Sequence, residues 1–339
     1  MNKHIIKIGG SMLMTGLLLW AVFSEQGIGD FLEIISNVNR PLLAVYLCLS
    51  VTALVLRALR YRVLLRDMTK SSQPLSLKQA IIVAAIRNAL VDFLPARIGE
   101  ASYIYVVSRY GVAVTAALSS FGFCFILDIV ILLIIIGLAI PFGFGTSDTW
   151  DMSHFIAGAG IGLSGVLTLV ILVLFGDKLL AFAASASQRW AKTAKIFSAW
   201  SAELKGVRES GSAFSLVLLT LGLRLAKYIS LYVVLLAVVM QWGVGSADLP
   251  ALPVTVAFIA AEAGASLPVS GLMSFGAYEG AWTAVFGLVC RGACEAIPAA
   301  SVALAVHLIT QVAGYSVGLL AALCFLSKEF KEKSTKAST

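Results

Sequence analysis

Charged side chains occur inside stretches of this sequence that are apolar enough to cross a bilayer. Each such group costs roughly 2.5–3.5 kcal/mol at a helix centre on insertion scales, so it is a candidate for function. Arginine and lysine suit an anionic headgroup, because a guanidinium fork matches phosphate, whereas carboxylates orient those bases or carry protons. The candidate residues for binding and translocation are Arg87, Arg97, Glu100, Asp128, Arg224, Lys227 and Glu279.

Two short breaks interrupt the apolar sequence, and several of these candidates lie in or beside them. The first, 94–100, reads Leu-Pro-Ala-Arg-Ile-Gly-Glu, and the second, 267–279, begins Leu-Pro and ends Gly-Ala-Tyr-Glu. Proline removes a backbone donor and glycine permits a reversal of the chain. In hydrocarbon a helix can break there only where protein or water satisfies the freed groups. The residues expected to shape the breaks are Pro95, Gly99, Pro268, Gly271 and Gly276.

Two interpretations of these charges stay open. In the functional one, Arg97 holds an anionic headgroup with Arg224 and Lys227, which share one helical face. In the structural one, the charges only pair with each other, for example Arg97 with Glu100, and so lock the breaks. The whole set exceeds what structure requires, which favours a polar cavity. The same apolar setting holds three further ionisable residues, Asp92, Glu262 and His307.

The composition indicates a polytopic membrane protein with an all-α fold. The 339 residues are 59% hydrophobic and 13% charged, and the mean hydropathy is +0.94, whereas a soluble domain carries about 25% charged residues. The net charge of +7 does not indicate a nucleic-acid partner, because the basic residues fall mostly in short loops, where they set membrane topology.

Six stretches are long enough, or nearly so, to cross the membrane. The first lacks a small-x-small cleavage site, so we expect a retained span there and no signal peptide. The two regions that contain the breaks, 80–105 and 253–289, are predicted to form re-entrant helical hairpins, although charge does not distinguish these from segments that cross twice. The six predicted spans are 5–23, 41–56, 112–140, 155–175, 214–240 and 297–326.

Positive charge predicts which loops are cytoplasmic. The connector 176–213, expected to be an amphipathic surface helix, and the C-terminal tail are rich in lysine and arginine, while the opposite loops are mostly acidic. Both termini are then predicted to be cytoplasmic, in a protein of the cell membrane. In this topology, 41–140 and 214–326 have opposite orientations and are predicted to form an inverted repeat. The loop after the second span is assigned to the cytoplasmic side by Arg57, Arg60, Arg62, Arg66, Lys70 and Lys78.

Small residues and motifs add further expectations. Cys290 and Cys294 are four apart and could pair in an oxidising compartment. On one helix this spacing is a poor geometry for a disulfide, so we expect two packing residues there. The sequence contains no motif for a metal, a nucleotide or another cofactor, and none is expected. A close-packing helix face is predicted from Gly158, Gly160, Gly162 and Gly165.

The breaks also carry a resemblance. Residues 88–100, Asn-Ala-Leu-Val-Asp-Phe-Leu-Pro-Ala-Arg-Ile-Gly-Glu, are similar to the Asn-x-x-x-x-x-Leu-Pro-x-Arg-x-Gly-Glu signature of the lysylphosphatidylglycerol synthase transmembrane, or flippase-like, family. The second break resembles the later Leu-Pro…Gly-x-x-Glu element of that family, with Gly271 alone where a Pro-Gly-Gly run is usual. The resemblance covers nearly the whole chain and implies a central site at Arg97, Glu100 and Glu279.

The resemblance implies a role in moving lipids such as aminoacylated phosphatidylglycerol, or in polyprenyl-linked glycan assembly. Bifunctional members carry a soluble aminoacyl-transferase domain. This chain stops at Thr339, soon after its last predicted span, so we do not expect it to aminoacylate lipid itself.

The sequence therefore predicts a transporter, and no enzyme, that moves an anionic phospholipid or a polyprenyl-phosphate-linked precursor. One rival is an intramembrane enzyme acting on a polyprenyl phosphate, which would need an acidic metal-binding cluster that the sequence does not offer. Another is a partner subunit for a glycosyltransferase. The expected partner is a lipid with an anionic headgroup, and the sequence leaves open a second copy of the chain or a lipid-modifying enzyme.

Overall fold

The computed structural model describes residues 16, 28–69, 75–143, 152–187, 189–267, 272–290 and 295–337. These residues form α-helices and short 3₁₀ turns, with no strand among them. A bilayer offers no partners for backbone groups, so a long apolar segment satisfies its own donors and acceptors as a helix. The helices are α1 Ile28–Ser36, α2 Arg40–Thr69, α3 Leu77–Phe93, α4 Ala101–Arg109, α5 Val114–Gly143, α6 Met152–Ala186, α7 Ala191–Glu209, α8 Ala213–Val239, α9 Ala251–Ala265, α10 Ala277–Val289 and α11 Ala299–Ala337.

Five helices of the described residues, α2, α5, α6, α8 and α11, are long and apolar enough to cross a membrane. They coincide with five of the six predicted spans. The sixth prediction, 5–23, lies outside the described residues apart from one position. The part of the chain that the structure describes is thus helical, with five helices that fit a membrane protein.

The second span is longer than the sequence indicated. α2 continues past Leu56 to Thr69, and within it Arg57 and Arg60 are only 9% and 1% exposed. Assigning these two arginines to a loop was wrong. The hydropathy of the sequence falls from Arg57 onwards, but the helix continues into packed protein against α3 and α8, and Arg60 pairs there with the carboxylate of Asp128.

The first break joins α3 to α4. A capping box between Ser76 and Gln79 begins α3, and the helix ends at Leu94, whose backbone is extended. Pro95 then starts a 3₁₀ turn, Pro95–Glu100, which folds back on α3. A Cβ at Gly99 would overlap the backbone of Leu90, so this close approach requires glycine.

The second break joins α9 to α10. A 3₁₀ turn, Leu272–Ser274, precedes α10, and Met273 and Gly276 both have positive φ, of 57° and 88°. The two helices pack closely, since a Cβ at Gly264 would lie 2.9 Å from that of Ala281. Pro268 and Gly271 lie outside the described residues.

The two breaks meet inside the protein. The 3₁₀ turn of the first contacts the 3₁₀ turn of the second, and α3 also contacts the second turn. α11 packs on both α3 and α10, with Gly318 directly against Ala89 of α3. The interrupted helices therefore converge on one region.

Two packing features lie beside this region. On α6, Gly158 and Gly165 face α5 closely, whereas Gly160 faces open space, so the predicted glycine face is narrower than expected. α6 continues to Ala186, and the predicted connector contains α7, which is tied to α6 by an Arg208–Asp177 ion pair of 2.8 Å.

The prediction for Cys290 was wrong. α10 ends at Val289, and Cys290 is disulfide-bonded. Cys290 therefore lies just past the end of the helix, and the objection based on two cysteines within one helix does not apply to it. Cys294 lies outside the described residues. The free cysteines of the described residues are Cys48, Cys124 and Cys324.

Candidate functional site

A cavity of about 880 Å³ lies where the breaks converge. Its walls come from α2, α3, α5, α8, α9, α10 and α11 and from the two 3₁₀ turns at the breaks, so helices from both halves of the chain enclose it. This volume falls in the range of small-molecule sites, about 300–1,000 Å³. The arginine, lysine, aspartate, glutamate and histidine side chains of its lining are Arg57, Arg60, Arg87, Asp92, Glu100, Asp128, Arg224, Lys227, Glu262 and His307.

Asp128 on α5 holds two arginines. Arg60 donates to both of its oxygens, at 2.7 and 3.2 Å, and also to Thr220 at 3.3 Å. Arg224 on α8 donates from Nε to Oδ1 at 3.2 Å, and its Nη2 lies 3.1 Å from Oδ2. One carboxylate thus joins three membrane helices, α2, α5 and α8.

Glu262 on α9 extends this cluster. Lys227 Nζ lies 2.7 Å from one carboxylate oxygen, and Arg224 Nη1 lies 3.6 Å from the other. Tyr228 donates its hydroxyl to the same carboxylate at 3.4 Å. Arg224 and Lys227 share a face, as their spacing predicted, and Arg224 bridges the two carboxylates.

Arg87 and Glu100 form a separate pair at the first break. Arg87 donates from Nε and Nη2 to the two oxygens of Glu100, at 2.8 and 2.6 Å. The backbone of Arg97 lies in the 3₁₀ turn, but its side chain is outside what the structure describes. The suggested Arg97–Glu100 pairing therefore stays a prediction.

Glu279 starts a hydrogen-bond chain at the second break. It accepts the backbone N–H of Gly276 at 2.6 Å, and its other oxygen lies 2.5 Å from His307 Nδ1. Gln311 Nε2 contacts His307 Nε2 at 2.6 Å and donates to the Met273 carbonyl at 2.7 Å. With the Gln311 amide assigned as donor, His307 carries its proton on Nδ1 and donates it to Glu279.

The structure brings most of the predicted site residues to one place. Five of the seven line the cavity. Glu279 contacts His307, which lines the cavity. For Arg97 the structure describes only the backbone, which lies in the first 3₁₀ turn. Sequence reasoning missed Arg57 and Arg60. The sequence did contain a signal. Arg57 and Arg60 are three apart, and on a continuous helix they share a face with Tyr46 and Ser50 of the preceding span.

A family model described as the lysylphosphatidylglycerol synthase TM region matches residues 5–318. The chain belongs to this family. No curated protein and no solved structure matches the chain significantly. Membership in the lysylphosphatidylglycerol synthase TM family indicates a membrane protein of lipid metabolism or transport, and the matched region contains both breaks and every residue of the cavity.

The electrostatics of the cavity suit an anion. Its described lining contains five arginine and lysine side chains against four carboxylates. Around this charge lie apolar residues such as Leu54, Phe125 and Ile129. A positive pocket with apolar walls matches a molecule that has an anionic head and hydrocarbon chains. No cluster of three or more metal-binding side chains occurs in the part of the chain that the structure describes.

Proposed function

We propose that this family member moves an anionic phospholipid or a polyprenyl-phosphate-linked precursor across the cell membrane. The observation that carries the proposal is the cavity of about 880 Å³ between membrane helices, with more buried cations than carboxylates in its lining. Desolvated charge is costly without compensation, and an anionic headgroup supplies it. Membership in a family of lipid metabolism or transport supports the same function.

An apolar route from the cavity to the bilayer supports lipid as the substrate. Leu47 and Val51 on α2, and Phe125 and Ile129 on α5, line the cavity and are also 42–53% exposed on the surface of the protein. A lipid can keep its chains against such residues while its headgroup enters the polar part of the cavity.

The arrangement of the helices supports alternating access. The same order of elements occurs twice: a long helix, two shorter helices joined by a break (a broken pair), and another long helix. The first set is α2, α3/α4 and α5, and the second is α8, α9/α10 and α11. We propose that the broken pairs are re-entrant hairpins of opposite orientation, since such inverted repeats place a substrate site where discontinuous helices meet. The contact between the two breaks, beside the cavity, agrees with that placement.

In the proposed topology both termini and α7 are cytoplasmic, and the second hairpin enters from outside. The disulfide at Cys290, at the end of that hairpin, supports this orientation because disulfides persist in oxidising compartments. Arg97, Arg224 and Lys227 are the proposed anion-binding residues of the translocation path, and Glu100 and Glu279 orient them or carry protons.

Lipid movement by purified protein in vesicles tests the proposal. Phosphatidylglycerol labelled with a fluorophore on one acyl chain should exchange between leaflets faster in vesicles that contain the protein than in empty ones. Labelled diacylglycerol, which crosses unaided, calibrates the assay. Equal rates for phosphatidylglycerol with and without protein would refute transport of this lipid class.

A further inference from the structure

Arg57 differs from the other cations of the cavity. Arg60 and Arg224 bond Asp128, Lys227 bonds Glu262, and Arg87 bonds Glu100. For Arg57 the structure gives no hydrogen bond and no ion pair to the described residues, and its Nε is fully buried. Each of the other four has a carboxylate, and Arg57 has none of its own.

The position of Arg57 makes this charge unusual. It lies on the cavity face of α2 and is 91% buried, since its exposed fraction is 9%. The charged groups that act on it include three cations, Arg87, Arg60 and Lys227, and the carboxylate of Asp128, which is already shared by two guanidinium groups. Positive potential therefore concentrates at Arg57.

A guanidinium in this setting is suited to a ligand and poorly suited to a structural role. A buried charge without a partner destabilises the folded protein, whereas a structural arginine is normally satisfied by carboxylates or carbonyls. Its planar fork of donors matches phosphate oxygens with two parallel hydrogen bonds.

Apolar residues lead from the bilayer to Arg57 along the same helix. Leu47, Val51 and Leu54 all line the cavity, and Leu47 and Val51 are exposed at the protein surface. From Leu47 to Arg57 the helix rises about 15 Å, at about 1.5 Å per residue. This distance accommodates acyl chains beside α2 with a phosphate at its polar end.

We propose that Arg57 is a further phosphate-binding residue of the lipid site, in addition to Arg97, Arg224 and Lys227, with the acyl chains of the lipid lying along Leu47, Val51 and Leu54. The proposal rests on the proposed function and deepens it, because it names a phosphate ester as the recognised group. Arg60 and Arg87 keep their carboxylates and contribute positive potential, while Arg57 forms the direct hydrogen bonds.

Binding in detergent tests the assignment. Dioctanoyl phosphatidylglycerol should bind Arg57→Gln roughly 10- to 100-fold more weakly than wild type, because charge-assisted hydrogen bonds are lost. Dioctanoylglycerol, which lacks the phosphate, should bind both proteins equally. Arg40→Gln, an exposed arginine at the start of the same helix, should bind phosphatidylglycerol as wild type does. Unchanged phosphatidylglycerol binding by Arg57→Gln would overturn the assignment.

Two further measurements separate the alternatives. Inorganic phosphate that bound through Arg57 as tightly as phosphatidylglycerol would assign the site to a free anion and overturn the lipid part of the proposal. Arg57→Met should keep or raise the Tm of the ligand-free protein, because an unpaired buried charge is removed. A fall in Tm as large as that of Arg87→Met would show a structural role and overturn the proposal.

The inference and the proposed function fail in different ways. Wild-type protein that binds phosphatidylglycerol through Arg57 but moves no labelled lipid in vesicles would refute transport and leave the binding residue assigned. Wild-type protein that moves labelled lipid, with Arg57→Gln moving it equally fast, would refute the role of Arg57 and leave transport intact.

Discussion

The guanidinium of Arg87 holds the carboxylate of Glu100 across the first break, through two hydrogen bonds of 2.8 and 2.6 Å. One partner belongs to α3 and the other ends the 3₁₀ turn, so the pair fastens the turn to the helix that it interrupts. Both side chains also line the cavity. The contact that holds the break closed is therefore part of the cavity wall.

Removing one partner of this pair should destabilise the protein. Arg87→Met leaves the Glu100 carboxylate without its described partner, and such losses cost about 3–5 kcal/mol for buried pairs. The double change Arg87→Met/Glu100→Leu should recover most of that loss. Thermal unfolding in detergent of the wild type, both single variants and the double variant measures the coupling. Additive effects of the two single changes would contradict a direct pair.

Glu279→Gln should destabilise the second break. The carboxylate accepts from both Gly276 N–H and His307, and a glutamine has one acceptor oxygen for these two donors. The unmade hydrogen bond should lower the free energy of unfolding by about 1–3 kcal/mol. Glu33→Gln, at an exposed site on α1, is the matched control. A Glu279→Gln protein as stable as wild type would refute the assigned chain of donors.

Gly99→Ala tests the close approach at the first break. The added Cβ would overlap the Leu90 backbone, which cannot move without opening the turn, so a loss of at least about 1–3 kcal/mol is expected. Gly160→Ala on α6 meets no atom within 4 Å and should leave the Tm unchanged or raise it. Equal Tm values for the two variants would contradict the described turn.

Cysteine labelling tests the proposed orientation. In a background with Cys48, Cys124 and Cys324 replaced by alanine, Ser198→Cys on α7 should react with an impermeant maleimide only from the cytoplasm. Ser246→Cys, in the loop between α8 and α9, should react only from outside. Both sites are exposed. Labelling of Ser246→Cys from the cytoplasm would rule out the inverted repeat.

Local sequence predicted where the five described spans and the interruptions lie, although not how far α2 and α6 extend. Long apolar segments and two Leu-Pro interruptions have physical consequences that depend on few neighbours, and the described spans and broken helices follow them. Even the face shared by Arg224 and Lys227 follows from their spacing.

The ion pairs between the buried side chains could not be predicted from local sequence. Arg60 meets Asp128 across 68 residues of sequence, and Arg224 meets it across 96. Because the sequence does not show which residues approach each other in the fold, Arg57 and Arg60 were interpreted as loop residues that set membrane topology. Cys290 was misjudged because it was weighed as part of a helix shared with Cys294, although the predicted apolar region 253–289 and α10 both end at Val289.

The most direct test is to block the cavity and measure lipid movement. Ala53 lines the cavity on α2, whereas Val45, on the same helix, is exposed and outside the cavity lining. In vesicles with labelled phosphatidylglycerol, wild type and Val45→Trp should move the lipid between leaflets, and Ala53→Trp should slow it to the rate of empty vesicles. Thermal unfolding of all three proteins confirms that each is folded. A folded Ala53→Trp protein that moves lipid at the wild-type rate would contradict transport through this cavity.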